Sequence, residues 1–380
     1  MTNNQKKWIG LLFALFMLIL VMMFISPSIR ASTQEKAYLK ALESLPYNTY
    51  LNTSFDPALA AQTPEWDVYQ FSSPELQCVR GGDFGVLVHK GIESDKTVLW
   101  LQPGTECWPN HPLCGELPKI PNAAELGLHN ALSSANSSPF GPIQSDKNNP
   151  MANWNYVYVP SCDGSFYLGD STMDYDGDGM PDHWHNGLRQ TAAAVSLMKE
   201  LFPETQKILI AGSSAGGFGT FSATPISRLA FPDARLVVFN DSGPGIMLNP
   251  ERPKVWAEIN QTWNLSSHVP ADCPNCANQL IYLYDWYLTR DPNLKIGMFT
   301  SYRDLVVSSV VSMDGVDYQK ALMETSSQIS NNHPNTFKRY FINGDSHTIG
   351  DYYRSDGGEV VWDWITYLVN DDPRWRDVLE

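Results

Sequence analysis

Two patterns of hydrophobic and polar residues alternate along most of the chain. Short apolar runs rich in β-branched and aromatic residues are typical of strands, and they lie at residues 97–101, 156–159, 207–211, 236–239, 296–300 and 339–342. Longer stretches with helical spacing lie between or after these runs, at residues 188–202, 216–229, 280–288, 319–329 and 360–369. Strands that alternate with helices predict an α/β fold, with a mainly parallel central sheet and helices on both faces.

Two stretches show neither pattern clearly. Residues 32–75 and the Pro/Asn/Ser-rich stretch 109–150 are expected to form loops or a cap over the sheet rather than a separate domain. The chain has no internal repeat that would indicate a solenoid. We therefore expect one domain over residues 32–380 with a loop-rich cap, preceded by an export segment at residues 1–31.

The export segment has a pattern of its own. An apolar run without a charge at residues 8–25 follows Lys6 and Lys7, and it is roughly long enough to span the hydrocarbon core of a bilayer. A signal peptide or an uncleaved signal anchor explains this run better than a buried core helix. No clear A-x-A site follows, so we favour an anchor with the chain after Arg30 outside, while cleavage near Ala31 stays open. The protein is predicted to be exported, either anchored and facing the periplasm or extracellular space, or secreted.

Composition and charge narrow the class of protein. The 380 residues include 26 Lys plus Arg against 41 Asp plus Glu, which gives a net charge of −15. This balance argues against a nucleic-acid partner, because the phosphate backbone is met mainly by clustered Lys and Arg. With 43% hydrophobic and only 18% charged residues, the chain is expected to fold around a large core rather than to be disordered.

Six cysteines agree with an oxidising, exported location. Their spacing alone leaves many disulfide connectivities open. A zinc site is the alternative for the single C-x-x-C sequence, but no second Cys or His pair lies near it. The six are Cys78, Cys107, Cys114, Cys162, Cys273 and Cys276.

The most informative segment joins a predicted strand to a predicted helix. The strand at residues 207–211 runs straight into Gly212-Ser-Ser-Ala-Gly216, a G-x-S-x-G sequence, and a helix-like stretch follows. In this context the glycines allow a sharp turn that lifts the Ser214 hydroxyl above the sheet, as a nucleophile elbow requires. The N–H groups at the start of the helix would face an oxyanion beside Ser214, with Ala215 as the first donor. We therefore predict that Ser214 is a nucleophile.

A serine nucleophile needs a base, which α/β-hydrolases place after the nucleophile in the sequence. His347 follows the predicted strand 339–342 in a polar loop, where catalytic side chains are common. His268 and His333 lie in Pro-adjacent, Asn/Ser-rich stretches and are expected at the surface. His347 is thus the predicted base.

The acid has two candidates. Asp304 follows the predicted strand 296–300, between the nucleophile and the base in the sequence. It would accept the second imidazole proton and fix the tautomer. Asp241 follows the strand 236–239, one strand earlier, and Asp304 could instead pair with Arg303. We favour Asp304 and keep Asp241 as the alternative.

A separate acidic segment suggests a metal site. Asp174, Asp176, Asp178 and Asp182 lie within nine residues that also include glycines at 177 and 179, and Met180 offers a backbone carbonyl. This spacing is typical of calcium loops, although the twelfth position is not the glutamate of an EF-hand. We predict a structural Ca²⁺, with a solvated acidic loop as the alternative. No cofactor for catalysis is expected, because hard oxygen ligands around Ca²⁺ do not generate a hydroxide nucleophile as zinc does.

Taken in order, these segments resemble the pectin acetylesterase and Notum family of serine carboxylesterases, which are secreted or membrane-anchored α/β-hydrolase-like enzymes. The resemblance covers about residues 76–364. It is carried by Cys78-Val-Arg-Gly-Gly82, Leu87-Val-His-Lys-Gly91, Trp100-Leu-Gln-Pro-Gly-Thr-Glu-Cys-Trp108, Val159-Pro-Ser-Cys-Asp-Gly-Ser165, Asn186-Gly-Leu-Arg189, Gly212-Ser-Ser-Ala-Gly-Gly217 and Asp241-Ser-Gly243.

The resemblance implies an oxyanion loop as well as the triad of Ser214, Asp304 and His347. In the family this loop is usually a Gly-Gly-Gly-Trp or Gly-Gly-Trp stretch, and it falls here on Pro103-Gly-Thr105. The expected donors are then the N–H groups of Gly104, Thr105 and Ala215. Pro103 replaces a glycine and removes one donor, and Thr105 or Glu106 replaces the tryptophan.

The resemblance also implies disulfide pairs. Cys107 and Cys114 match a short bridge beside the oxyanion loop of the family, and Cys78 with Cys162 matches a longer bridge between neighbouring strands. Cys273 would then pair with Cys276.

The predicted function is that of an exported serine carboxylesterase. It would remove O-acyl groups, expected to be O-acetyl, from a polysaccharide such as pectin through an acyl-enzyme. The acidic composition fits an acidic polymer poorly, so another acylated glycan stays open, as does a lipid-acyl ester of the kind that Notum cleaves. A catalytically inactive, Ca²⁺-dependent glycan-binding protein on a hydrolase scaffold is the alternative from another class, and the altered oxyanion loop is the reason for it.

Overall fold

The computed structural model describes most of the chain after the export segment. The described residues are 27–104, 106–109, 111, 114, 133, 135, 149–348 and 353–380. The predicted anchor at residues 8–25 and most of the stretch 109–150 lie outside this set, so both stay predictions. Among the described residues, none of the helices has the length and apolar character that a bilayer crossing requires.

Strands and helices alternate over the described part of the chain. The strands are β1 (Ala58–Gln62), β2 (Asp67–Phe71), β3 (Phe84–His89), β4 (Glu93–Leu101), β5 (Trp154–Val159), β6 (Ser171–Met173), β7 (His183–His185), β8 (Lys207–Ser213), β9 (Arg235–Asp241), β10 (Leu294–Ser301), β11 (Phe337–Ile342) and β12 (Val378–Leu379). The helices are α1 (Pro27–Glu43), α2 (Tyr47–Leu51), α3 (Gly187–Leu201), α4 (Ala215–Ala230), α5 (Pro253–Trp263), α6 (Tyr282–Arg290), α7 (Leu305–Val310), α8 (Gly315–Asn332) and α9 (Val361–Asn370), with short 3₁₀ turns at Pro74–Leu76 and Leu265–His268.

A ten-stranded sheet in the order β1-β2-β3-β5-β4-β8-β9-β10-β11-β12 forms the centre of the described fold. From β5 to β12 in this order every neighbouring pair is parallel, and β1, β2 and β3 extend the sheet with antiparallel pairs. Strands β6 and β7 form a separate antiparallel pair. The predicted α/β fold with a mainly parallel sheet is confirmed.

Helices cover both faces of the sheet because alternate residues of the central strands point to opposite sides. Ile208 and Ile210 of β8 pack in one hydrophobic cluster with residues of α3, α4, α6 and α8. Leu209 of the same strand packs in a second cluster with Trp364 and Leu368 of α9. Burial on both faces explains why the central strands are continuous apolar runs.

Every predicted strand and helix is present, with ends shifted by a few residues. The interpretation of residues 32–75 as loops or a cap is wrong, because α1, α2, β1 and β2 lie there. β1 is mostly exposed at the edge of the sheet and carries no apolar alternation. Helix α5 was also missed, although Trp256, Ile259 and Trp263 are buried at helical spacing.

Three disulfides are present in the described part of the chain, and one of them joins segments that are 84 residues apart. The pairs are Cys78 with Cys162, Cys107 with Cys114, and Cys273 with Cys276, and no free cysteine remains. The first bridge joins the segment before β3 to the end of β5, and the second closes a loop after β4. The pairs are those that the resemblance implied, and they agree with an exported protein.

Candidate active site

The turn between β8 and α4 presents Ser214 above the sheet. Ser214 has φ +55° and ψ −118°, a conformation that costs a non-glycine residue energy and that often marks functional turns. A Cβ on Gly212 would lie 2.2 Å from the carbonyl oxygen of Gly216, and a Cβ on Gly216 would lie 2.0 Å from the carbonyl oxygen of Leu101. Only glycine fits at either position, so the G-x-S-x-G sequence is required by the tightness of this turn.

His347 lies beside the serine. Its Nε2 is 2.7 Å from the Ser214 Oγ, and its Nδ1 is 2.8 Å from Oδ2 and 3.0 Å from Oδ1 of Asp304. Asp304 is fully buried, whereas Ser214 and His347 are half-buried and reachable from solvent. In this network the serine hydroxyl can donate to Nε2 while the Nδ1–H donates to the carboxylate. The structure thus brings the three predicted side chains together in one hydrogen-bonded line.

Asp304 is held in place by the helix that follows it. It caps α7, and its Oδ1 accepts hydrogen bonds from the backbone N–H groups of Val306 and Val307, each at 3.0 Å. Such capping fixes both the helix start and the side chain. The cap thus orients the carboxylate through contacts that do not involve His347.

Hydrogen bonds also join the loops that carry the acid and the base. The backbone N–H of Leu305 donates to the Asp345 carbonyl at 3.0 Å, and the Ser301 hydroxyl donates to the Ser346 carbonyl at 2.6 Å. These loops follow β10 and β11, which are adjacent and parallel. The position of His347 is therefore fixed by contacts with the loop after β10 as well as by its own loop after β11.

Asp241, the alternative acid, lies in a different network. Its Oδ2 accepts from the Ser213 hydroxyl at 2.6 Å and its Oδ1 from the Ser242 hydroxyl at 3.0 Å. Its backbone carbonyl accepts from the Ser214 N–H at 2.8 Å. The Ser242 oxygen in turn accepts from the N–H of Thr348, the residue after His347. Asp241 therefore supports the backbone on both sides of the site.

The predicted oxyanion donors are only partly described. Gly104 follows β4 and is exposed. It lies so close to the loop after β5 that a Cβ on it would be 1.9 Å from the Ser161 Oγ. Ala215 is the first residue of α4, so its N–H is not used inside the helix. Thr105 lies outside the described residues, and the role of all three N–H groups stays a prediction. The loop beyond is fixed by the Cys107 N–H, which donates to the Gly164 carbonyl at 2.8 Å.

A cleft of about 610 Å³ opens between the loop after β4, α5 and α7. Burial raises the pKa of Glu106 in its wall, and a backbone hydrogen bond and the His347 imidazole partly offset the rise. The described residues that line the cleft are Glu106, Trp108, Pro109, His111, Val255, Glu258, Leu305, Val306, Ser309, Val310 and Ser312.

The acidic loop between β6 and β7 is partly arranged as predicted. Carboxylate oxygens of Asp174, Asp176 and Asp178 lie within 4.8 Å of one another, and all three residues are exposed. Asp182 is not in this group, since its Oδ1 accepts from the Tyr175 N–H at 2.9 Å and lies 2.8 Å from the Nδ1 of His183. Three carboxylates are a fitting partial ligand set for Ca²⁺. The calcium site stays a prediction.

The structure also places Met180 and the two histidines that were predicted at the surface. The Met180 side chain is exposed, and its N–H donates to Asp178 Oδ1 at 2.8 Å. The expectation that His268 and His333 lie at the surface is wrong. His268 is buried, with Nε2 2.9 Å from the Leu168 carbonyl, and the half-buried His333 lies 2.9 Å from Asp285.

Sequence reasoning missed two acidic residues beside the site. Glu106 directly follows the segment interpreted as the oxyanion loop, so its position after β4 was a usable signal. Glu258 gave no signal, because α5 was not predicted and only the fold brings this helix beside α7.

The fold and this line of side chains define the class of an α/β-hydrolase. Comparison with family models then places the chain: the pectinacetylesterase model matches residues 69–339. This is most of the chain, and the protein belongs to the pectinacetylesterase family, so the resemblance is confirmed and the chain is by family a carboxylic ester hydrolase. The match covers Ser214 and Asp304 and ends before His347. A search of curated proteins returned no match.

Proposed function

We propose that the protein hydrolyses O-acyl esters, in particular O-acetyl esters, of a polysaccharide through a serine acyl-enzyme. The observation that carries the proposal is the line from Ser214 Oγ through His347 to Asp304, with contacts of 2.7 and 2.8 Å. A hydroxyl at that distance from an imidazole nitrogen, itself oriented by a buried carboxylate, is the arrangement that activates serine for attack on a carbonyl.

In the proposed reaction, Ser214 Oγ attacks the ester carbonyl carbon while His347 Nε2 takes the hydroxyl proton. The N–H groups of Gly104, Thr105 and Ala215 would hold the oxyanion of the tetrahedral intermediate. The imidazolium then gives its proton to the sugar oxygen, which leaves as an alcohol. Water, deprotonated by His347, attacks the acyl-enzyme, and the carboxylic acid is released as the imidazolium returns its proton to the Ser214 oxygen. Asp304 stabilises the imidazolium in both steps.

We also propose that the catalytic domain works outside the cytoplasm. The three disulfides support this, because such bonds persist in oxidising compartments. The apolar run at residues 8–25 would either anchor the chain in the membrane or be removed after export. Mass spectrometry of the purified membrane and secreted fractions would tell the two apart by the N-terminal residue.

The serine mechanism is tested by Ser214→Ala. Hydrolysis of p-nitrophenyl acetate should fall by about 10⁴-fold or more, because the nucleophile of the covalent step is lost. Circular dichroism should stay unchanged. Ser44→Ala, at an exposed serine of the short segment after α1, is the matched control and should retain full activity. Turnover by Ser214→Ala within tenfold of the wild type would rule the mechanism out.

A further inference from the structure

The chain between β11 and Tyr353 carries His347, and two other elements hold the residues around the imidazole. The loop after β10 donates hydrogen bonds to the carbonyls of Asp345 and Ser346. On the other side of His347, the N–H of Thr348 donates to the Ser242 hydroxyl at 3.0 Å. These contacts hold residues 345–348, and none of them involves the ends of the segment, at residues 343 and 353.

A single carboxylate joins those two ends. Oε2 of Glu380 accepts a hydrogen bond at 3.0 Å from the N–H of Asn343, the residue directly after β11. The same oxygen accepts from the Tyr353 hydroxyl at 2.9 Å, and Oε1 accepts from the Asp356 N–H at 2.9 Å. Donors before and after His347 in the sequence therefore meet on one side chain.

Both members of the central contact are themselves fixed. Glu380 directly follows β12, the parallel neighbour of β11, and its N–H donates to the Phe341 carbonyl at 3.1 Å. The Tyr353 ring lies edge-on to Phe299 and Tyr340, with centroid distances of 6.2 Å. Burial and the Glu380 carboxylate raise the pKa of Tyr353 above its usual 10. The hydroxyl therefore keeps its proton at neutral pH and donates it to the carboxylate.

These contacts matter for the reaction because they restrict where the imidazole can lie. Hydrogen bonds to a charged acceptor are stronger than those between neutral groups, and joining the ends of a loop removes many of its alternative conformations. The contact of 2.7 Å between Ser214 Oγ and His347 Nε2 depends on the path of this segment. A displacement of about 1 Å in such a contact can cost on the order of 100-fold in rate.

We infer that Glu380 is a positioning residue for the esterase reaction. It joins the two ends of the segment that carries His347 and so keeps the imidazole within proton-transfer distance of Ser214. The inference rests on the proposed function and adds to it a group outside the triad that touches neither the substrate nor the reacting atoms.

The first test is Glu380→Ala, assayed with p-nitrophenyl acetate at a temperature where circular dichroism shows the variant to be folded. We expect kcat to fall by about tenfold and KM to stay within about twofold, because a displaced imidazole slows both proton transfers. The rate at which a fluorophosphonate probe modifies Ser214 should fall by a similar factor. A loss of stability alone would leave both values unchanged in the folded protein.

A second variant shows whether the effect passes through the contact with Tyr353. Tyr353→Phe keeps the ring and removes only the hydroxyl, and kcat should fall by about threefold, because one of the contacts that restrain the segment is lost. In the Glu380→Ala background the same substitution should change kcat little, because its acceptor is already gone. Such non-additivity indicates that the two side chains act through one interaction.

Asp377→Ala is the matched control on the other side of β12. The Asp377 carboxylate accepts from the N–H and the guanidinium of Arg339, at 2.8 and 2.6 Å. Arg339 belongs to β11 and not to the segment after it. The control should therefore lower the Tm but leave kcat within about twofold of the wild type.

The outcomes separate this inference from the proposed function. A wild type that does not turn over p-nitrophenyl acetate contradicts the proposed function, and the role of Glu380 with it. If the wild type is active and kcat of folded Glu380→Ala stays within about twofold, only the inference is overturned. The same holds if Asp377→Ala lowers kcat equally, or if the effects of Glu380→Ala and Tyr353→Phe are independent. Should Glu380→Ala not fold, an unchanged kcat in Tyr353→Phe overturns the inference.

Discussion

Two buried aspartates lie at the ends of neighbouring parallel strands of this fold, and the chain uses them differently. Asp304, after β10, directs its carboxylate to the His347 imidazole at 2.8 Å. Asp241, the last residue of β9, accepts hydrogen bonds from the hydroxyls of Ser213 and Ser242. Both are at most 1% exposed and both lie at the same edge of the sheet.

The difference lies in the loops that surround each carboxylate. The loop after β10 is hydrogen-bonded to the loop after β11, which carries the imidazole. The end of β9 instead borders the elbow, where Asp241 accepts the Ser214 N–H with its backbone carbonyl. Each strand end therefore supplies a candidate carboxylate. The loop that packs beside it determines whether the carboxylate orients a base or supports a turn.

The largest expected effect separates the two aspartates in catalysis. Asp304→Asn should lower kcat for p-nitrophenyl acetate by about 10⁴-fold, because the amide no longer fixes the imidazole tautomer or stabilises the imidazolium. The variant should fold, since the Asn side chain can still cap α7. A loss below tenfold, with circular dichroism like that of the wild type, would mean that Asp304 is not the acid.

The pH dependence of folding limits the pH range in which the Asp304 and Asp241 variants can be compared. Burial lowers the pKa of His268 from 6.5 to about 4. The unfolded chain then binds this proton more tightly, so the stability from a neutral His268 is complete above pH 6.5 and is lost as pH falls toward 4. We expect the free energy of unfolding to decrease by about 2 to 3 kcal/mol from this group between pH 7 and 4.5.

Urea unfolding at the two pH values measures this effect. His268→Gln removes the titrating group, so the difference between pH 7 and 4.5 should shrink by that amount relative to the wild type. An unchanged difference would show that His268 does not set the acid sensitivity. Kinetic comparison of the aspartates belongs above pH 6.5.

Asp241→Asn should affect stability more than chemistry. The amide can accept from only one of the two serine hydroxyls through its oxygen, which we expect to cost about 1 to 2 kcal/mol in the free energy of unfolding. The value of kcat should fall far less than in Asp304→Asn. If kcat fell by 10³-fold or more in a stable Asp241→Asn protein, the division of roles between the two aspartates would be wrong.

A third group of carboxylates extends the comparison to the surface. Asp174, Asp176 and Asp178 converge in an exposed loop, where a bound cation would relieve their mutual repulsion. Added Ca²⁺ at about tenfold above its Kd should raise the Tm by roughly 2 to 4 °C relative to EGTA. Asp176→Asn should reduce that shift, and Asp363→Asn, an exposed control on α9, should not. No shift with Ca²⁺ would leave the loop a solvated acidic turn.

Much of the fold could be predicted because the central strands are buried on both faces and appear as apolar runs. β8, for example, has only one residue that is not fully buried. β1 is an exposed edge strand. Its residues do not alternate between apolar and polar, so the sequence contains no strand signal there. The burial of His268 was missed because Ser266 and Ser267 precede it, while its contacts, such as the Leu168 carbonyl, come from distant segments.

The residues of the candidate site could also be predicted from the sequence, because of the topology of the sheet. Parallel strands end at one edge, so polar residues after β8, β10 and β11 had to lie near one another. The cleft was not accessible, because Glu258 reaches it on a helix whose position is set by tertiary packing, as in the 2.8 Å bond from Trp263 Nε1 to the Cys107 carbonyl. The order of strands in the sequence predicts which residues lie at the strand ends better than it predicts which residues line the cleft beside them.

The central claim is that Ser214 is an activated nucleophile, and covalent labelling tests it most directly. The folded protein is treated at pH 7.5 with a fluorophosphonate probe, and the modified peptide is located by mass spectrometry. We predict a single phosphonylated residue, Ser214, in the wild type and strongly reduced labelling in His347→Ala. No labelling of the folded wild type, or modification of another residue in place of Ser214, would contradict the claim.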